Sequence, residues 1–190
     1  MNPFFRLCLA PALAACLTLM ALPSLAQKVR LATSEGDIVI ELDAEKAPKS
    51  VANFLQYVRA GHYDGTVFHR VIETFMIQGG GYKPDLSEKP VRAPIALESR
   101  NGLSNVRGTL AMARTGIPDS ATSQFFVNVV DNLFLDQANS RDGNGYAVFG
   151  KVIDGMDVVD KIRVAPTREA GPHANFPVKA VTLKKATVEK

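Results

Sequence analysis

The chain contains no tryptophan, only three histidines and only two cysteines, and each scarcity removes a class of chemistry. His62, His69 and His173 share no ligand spacing, and neither an HExxH nor a paired Cys-His pattern occurs, so no metal site and no cofactor are expected. A GxSxG nucleophile elbow is missing. Asp142-Gly143-Asn144-Gly145 is glycine-rich but precedes a strand pattern instead of joining a strand to a helix, which argues against a phosphate cradle. Without an indole platform, a sugar- or small-ligand-binding barrel is a weak reading. The net charge is only +3 and Lys and Arg are not clustered, so nucleic acid is not an expected partner.

Hydrophobic residues make up 46% of the 190 and charged residues 22%, the usage of a globular chain with room for one domain. The amino terminus stands apart. Met1 to Arg6 carry one positive side chain, Leu7 to Leu22 carry no charge, and Pro23-Ser24-Leu25-Ala26 places small residues where a signal peptidase reads. This layout predicts a secretory signal peptide over 1–26, cleaved after Ala26, and a domain over 27–190. The apolar run is shorter than the ~20 residues that span a bilayer and holds Pro11, so no stable membrane association is expected after cleavage. Leu13-Ala14-Ala15-Cys16 resembles a lipobox, but the residues after Cys16 stay apolar to Leu22, an odd start for a mature lipoprotein. Cleavage removes Cys8, Cys16 and Arg6, leaving a mature chain beginning at Gln27 with a net charge of +2 and no thiol.

Beyond Gln27 the pattern is mostly of period two. Val29 and Leu31, then Ile38, Ile40 and Leu42, alternate on either side of Glu35-Gly36 and predict a β-hairpin. Val51, Phe54, Leu55 and Val58 follow Pro48 at helical spacing and stop before Gly61, which predicts an amphipathic helix. Strand-like runs follow at Thr66–Ile72, Phe75–Gln78, Ile95–Leu97, Thr109–Ala113, Phe125–Val130 and Ala147–Val152. A second short helix over Met156–Ile162, a Pro- and Gly-rich loop and a final strand over Val178–Leu183 complete the chain. About eight strands and two helices point to a mainly β fold, a closed antiparallel barrel with helices over its ends, because closure removes exposed sheet edges. A two-sheet sandwich is the alternative.

Two segments stand out: Phe68-His69-Arg70-Val71-Ile72-Glu73-Thr74-Phe75-Met76-Ile77-Gln78-Gly79-Gly80, and Ala111 to Arg114 running on through Ser120 to Phe126. Strand alternation puts Arg70 on the face of Phe68 and Ile72, an uncomfortable place for a guanidinium without a partner or a purpose. Gln78 on the next strand is within reach of it. One cation, one carboxamide and several large apolar side chains describe an oily pocket with a single charged donor. On the residues alone, a strand arginine paired with Glu73 and a set of aromatic core fillers describe them as well.

Both segments resemble the signature stretches of the cyclophilin family of peptidyl-prolyl cis-trans isomerases. Asn132-Leu133-Phe134-Leu135-Asp136, Tyr146 to Val152 and Gly171-Pro172-His173 extend the likeness from Val29 to Val188. The resemblance implies an eight-stranded antiparallel barrel capped by two helices. It implies that Arg70 is the catalytic arginine and Gln78 the glutamine that orients it. Phe75, Met76, Phe126 and Leu135 match the walls of the proline pocket, Ala113 and Arg114 the strand edge that holds the substrate backbone, and Gln124 a polar contact beside it. Phe134 stands where the best-known eukaryotic members carry tryptophan and Tyr146 where they carry histidine; exported bacterial members resemble this chain at both places. The missing indole N–H weighs against tight cyclosporin binding but not against activity. The implied reaction is faster rotation about X–Pro bonds, with Arg70 stabilising the twisted amide. The implied partners are proline-containing exported polypeptides, met by a monomer in the periplasm of a Gram-negative bacterium. The rival function is a non-catalytic proline-binding chaperone on the same fold. His69 is expected to be a structural histidine, buried and hydrogen-bonded.

Overall fold

The computed structural model describes residues 27–189, and the signal-peptide reading of 1–26 lies outside them. Among the described residues the chain forms β1 (Lys28–Thr33), β2 (Asp37–Leu42), α1 (Pro48–Arg59), β3 (Thr66–Ile72), β4 (Met76–Gly79), β5 (Thr109–Met112) and β6 (Phe125–Asn128). A 3₁₀ turn at Leu133–Leu135 leads to β7 (Val148–Asp154), α2 (Met156–Arg163), β8 (Thr167–Ala170), β9 (His173–Pro177) and β10 (Thr182–Val188). Eight of the strands close an antiparallel barrel in the order β1-β10-β3-β4-β6-β5-β7-β2, while β8 and β9 pair as a separate hairpin. The closed barrel, and not the sandwich, is therefore the architecture.

Hydrophobic alternation explains the closure. Ile38, Ile40 and Leu42 of β2, Leu31 of β1 and Leu183 of β10 all point inward and are buried. Period two requires every barrel strand to have such a face. The helices complete the filling. Phe54 of α1 sits 5.2 Å from the Phe149 ring and 5.5 Å, edge to face, from Phe125, and Val159 and Ile162 of α2 join the same cluster. A fully buried phenylalanine of this kind contributes roughly 1.5–3 kcal/mol. Side chains of this buried cluster fill the barrel interior.

Local chemistry sets the helix boundaries. Pro48 occupies the first turn of α1, where a missing N–H costs nothing, but the N-cap residue Ala47 has no side chain to cap with. The cap comes from far along the chain: Glu98 accepts hydrogen bonds from the N–H groups of Lys49 at 3.0 Å and Ser50 at 2.8 Å, and from the Ser50 hydroxyl at 2.7 Å. A carboxylate there also meets the positive end of the helix dipole. Before α2, Gly155 is left-handed (φ 86°), and a Cβ on it would lie 2.2 Å from the Asp37 carbonyl oxygen, so only glycine fits.

Three sequence expectations change. Ile95–Leu97 is not a strand but a single bridge from Ile95 to Ala121, because Pro90 and Pro94 break the hydrogen-bonding run before it. The loop containing Gly171 and Pro172 is instead the β8–β9 hairpin, whose Ala170 and Phe176 pack on Val67. The last strand begins at Thr182, beyond Val178, which is exposed.

Glu98→Ala should destabilise the fold by about 1–2 kcal/mol, seen as a lower urea midpoint at unchanged m-value, because it strips charged acceptors from the first turn of α1.

Candidate active site

A β-bulge creates the site. Between β3 and β4, Phe68 pairs with Gly79 and Arg70 with Gln78, so His69 is the extra residue. A bulge of this kind reverses the alternation beyond it. Phe68 and Val71 point into the barrel core, while Arg70 turns to the outer face with Ile72. The expectation that Arg70 shares a face with Phe68 is thus corrected: the extra residue separates them, and only Ile72 remains a face neighbour.

On that outer face Met76, Ala111, Phe126, Leu135 and Val148 form a second apolar cluster, edged by Ile72, Phe75, Leu103, Ala113 and Tyr146. Arg70 lies at its border. Its Nη1 is 3.3 Å from Gln78 Oε1 and 4.0 Å from Met76 Sδ, and its guanidinium carbon is 5.7 Å from the centre of the Phe75 ring. Gln78 in turn donates through Nε2 to Gln124 Oε1 at 2.9 Å, which fixes both carboxamides. Among the described residues no carboxylate comes within 4.0 Å of Arg70, and Glu73 does not pair with it. Burial pulls the Arg70 guanidinium below its ordinary pKa, yet an arginine stays protonated. The result is a half-buried cation that no carboxylate among the described residues neutralises.

Phe75 stacks on Phe134 at 5.6 Å, although Phe134 itself is 57% exposed and forms a rim more than a wall. Phe126 meets Tyr146 edge to face at 5.7 Å. Ala113 donates its N–H to the Gln124 carbonyl at 3.0 Å, holding the end of β5 beside the cluster. Beyond it, the Arg114 N–H and C=O take no hydrogen bond among the described residues, which leaves a short open β-edge. The Arg114 side chain does not face the cluster's open side; it folds back onto the loop before Tyr146.

Several contributors were not singled out from the sequence. Ala111 and Val148 complete the apolar floor beside Ile72, and their positions two residues from Ala113 and from Tyr146 were the available signal. Behind the floor runs a chain of buried amides: Asn132 Nδ2 donates to the Phe75 carbonyl and to Asn128 Oδ1, both at 2.8 Å, and Asn128 Nδ2 donates to Asn105 Oδ1 at 3.2 Å. Asn105 ends on Asp136, which accepts from its backbone N–H at 2.7 Å. This network ties Phe75 to the turn that carries Leu135. A neighbouring cavity of about 720 Å³, lined by Leu42, Val106, Glu41 and Asp43, meets the outer-face cluster at Leu103 and Val148 but contains neither Arg70 nor the aromatic rings. Lys151 lines it too and pairs with Glu41 at 3.2 Å, so its charges are partly neutralised within it.

The family model for cyclophilin-type peptidyl-prolyl cis-trans isomerases matches residues 28–188. Peptidyl-prolyl cis-trans isomerase A of Dickeya dadantii is 53% identical over 162 residues, covering 85% of this chain and 84% of that one. A peptidyl-prolyl cis-trans isomerase of Acinetobacter baylyi is 58% identical over 155 residues, 82% of this chain and 81% of that one. Among solved structures, a cyclophilin-type isomerase of Cryptosporidium parvum is similar with a TM-score of 0.73 at 28% identity, over 87% of this chain and 99% of that one. The same protein in the presence of the dipeptide Ala-Pro is similar with a TM-score of 0.72 at 28% identity, over 86% of this chain and 99% of that one.

His69 is buried as expected, but its Nδ1 has no hydrogen-bond partner among the described residues. Burial first, then the neighbouring His173 and Arg70, lower its pKa to about 4. The unfolded chain therefore takes up a proton near pH 6.5 that the folded protein refuses, and stability falls as pH drops through the window from 6.5 to 4. Urea titrations across that window should show a loss of roughly 3 kcal/mol that is absent from His69→Phe.

Proposed function

The chain belongs to the cyclophilin-type peptidyl-prolyl cis-trans isomerases, and from that membership we propose that it isomerises X–Pro bonds through Arg70, acting on exported polypeptides. Proline-containing polypeptides are the substrates of the family.

An X–Pro amide resists rotation by about 20 kcal/mol because the nitrogen lone pair is delocalised into the carbonyl. In the twisted state that pair is localised on nitrogen and becomes a hydrogen-bond acceptor. A donor that meets it there, and has nothing to meet in the planar states, lowers only the barrier. Arg70 is that donor. Its lack of a carboxylate partner is the observation that carries the reading, since a paired guanidinium would have spent its field on its neighbour. Gln78, held by Gln124, aims it. Met76, Phe126 and Leu135 hold the pyrrolidine ring and exclude water, which strengthens the contact. The open edge at Arg114 pairs with the substrate backbone in the manner of an added strand. Lowering the barrier by about 7 kcal/mol accelerates rotation roughly 10⁵-fold, with no proton transfer and no covalent intermediate.

Export is supported by the layout of residues 1–26, with a charged start, an uncharged apolar run and small residues before Gln27. Amino-terminal sequencing of protein recovered from the periplasm should begin at Gln27; an intact Met1 would refute cleavage.

Arg70→Ala should lower kcat for an Ala-Pro peptide by about 10²–10³, the usual loss on removing one preorganised donor, with little change in KM. Gln78→Ala, which leaves the donor but frees it, should cost about tenfold. Near-native turnover in Arg70→Ala, by NMR exchange or a protease-coupled assay, would refute the mechanism.

A further inference from the structure

Arg114 lies at the substrate edge, but its side chain is only 2% exposed and all three guanidinium nitrogens are engaged away from the open face. Nε donates to the Gly145 carbonyl at 2.8 Å, Nη1 to the Thr115 carbonyl at 2.9 Å, and Nη2 to Asp142 Oδ2 at 2.5 Å. The guanidinium carbon sits 4.5 Å from the centre of the Tyr146 ring, inside cation–π range. Tyr146 presses edge to face on Phe126, and its N–H bonds the Leu135 carbonyl at 2.9 Å. Asp142, Arg114, Tyr146 and Phe126 thus form one continuous stack that ends in the pocket floor.

The loop between Leu135 and Tyr146 closes tightly around this stack. Asp142 Oδ1 accepts from the N–H groups of Asn144 at 3.0 Å and Gly145 at 3.3 Å. These bonds and Arg114 hold its carboxyl well below the usual carboxylate range. Gly145 is left-handed (φ 68°), and a Cβ there would lie 2.6 Å from the Gln137 N, so the turn tolerates no side chain. A surface ion pair of ordinary kind is worth little, but here one partner is buried, forked and stacked.

We infer that Arg114 is a positioning residue: anchored by Asp142, it clamps Tyr146 against Phe126 and so sets the width of the proline pocket. The inference rests on the reading of Phe126 as a pocket wall. Arg114 does not touch the reacting amide through its side chain, and the ring is held in planar and twisted states alike. Losing the clamp therefore weakens binding in both, which appears in KM and not in kcat.

The test is steady-state isomerisation of an Ala-Pro peptide by the purified protein and its variants, with thermal melts run in parallel. Arg114→Ala should raise KM about tenfold at a kcat within about twofold of the parent. Asp142→Asn should raise KM about threefold, and the double variant should be no worse than Arg114→Ala alone, because both changes break one clamp. Arg114→Lys should not rescue KM, since an ammonium is a point charge without the fork. An unchanged KM in Arg114→Ala, a loss confined to kcat, or additive effects in the double variant would each overturn the inference. If Arg114→Ala does not fold, Asp142→Asn alone decides by the same KM criterion. Phe126→Ala separates the two levels: an unchanged KM there refutes the pocket reading and the clamp together. A raised KM there with none in Arg114→Ala or Asp142→Asn refutes the clamp alone.

Discussion

The site depends on a guanidinium held in a half-buried place without a counter-charge. Proteins usually avoid this arrangement, because a desolvated cation is costly unless paired. Here the cost is limited by partial solvent access, by the Gln78 carbonyl oxygen and by the ring face of Phe75. A carboxylate in place of Gln78 would relieve the cost but, on the proposed mechanism, would satisfy the charge in every state of the substrate. In the mechanism we propose, the neutral carboxamide orients Arg70 while leaving its field for the prolyl nitrogen.

One extra residue puts that cation where it is. The bulge at His69 shifts the pleat of β3 by one position, turning Arg70 outward while Phe68 and Val71 remain in the core. The cost appears in His69 itself, whose buried Nδ1 has no partner among the described residues. Strain of this sort, an orphaned polar atom beside a distorted strand, concentrates at functional sites.

The barrel is used on both faces of the same strands. Ile77, Phe125 and Val127 point inward, while Met76, Gln78 and Phe126 between them point outward to the site. The buried core side chains back the outer groove from within. Loops then finish the groove: Asn132, Asn128 and Asn105 anchor it from behind, and Asp142 with Arg114 closes it at the far end. Preorganisation of this kind is what the proposed mechanism requires of one modest donor acting on a bond that resists rotation strongly.

The period-two hydrophobic runs and the helical spacing from Val51 to Val58 were enough to read a mainly β fold with two helices, because burial of one face is a local pattern, while closure into a barrel instead of a sandwich was settled by strand pairing. The residue types at Arg70, Gln78, Phe75 and Phe126 were legible as well, through long motifs. The outward turn of Arg70 was not, since a bulge shifts pairing without leaving a mark in composition. Nor was the Glu98 cap of α1, which joins residues about fifty apart in the chain, or the withdrawal of Arg114 from the open edge. Sequence by itself determined which side chains are apolar, charged or polar and where both helices and most of the barrel strands form. Tertiary structure alone decided which charges would be left unpaired and which way they face, because pairing and desolvation depend on distances that only the closed barrel creates.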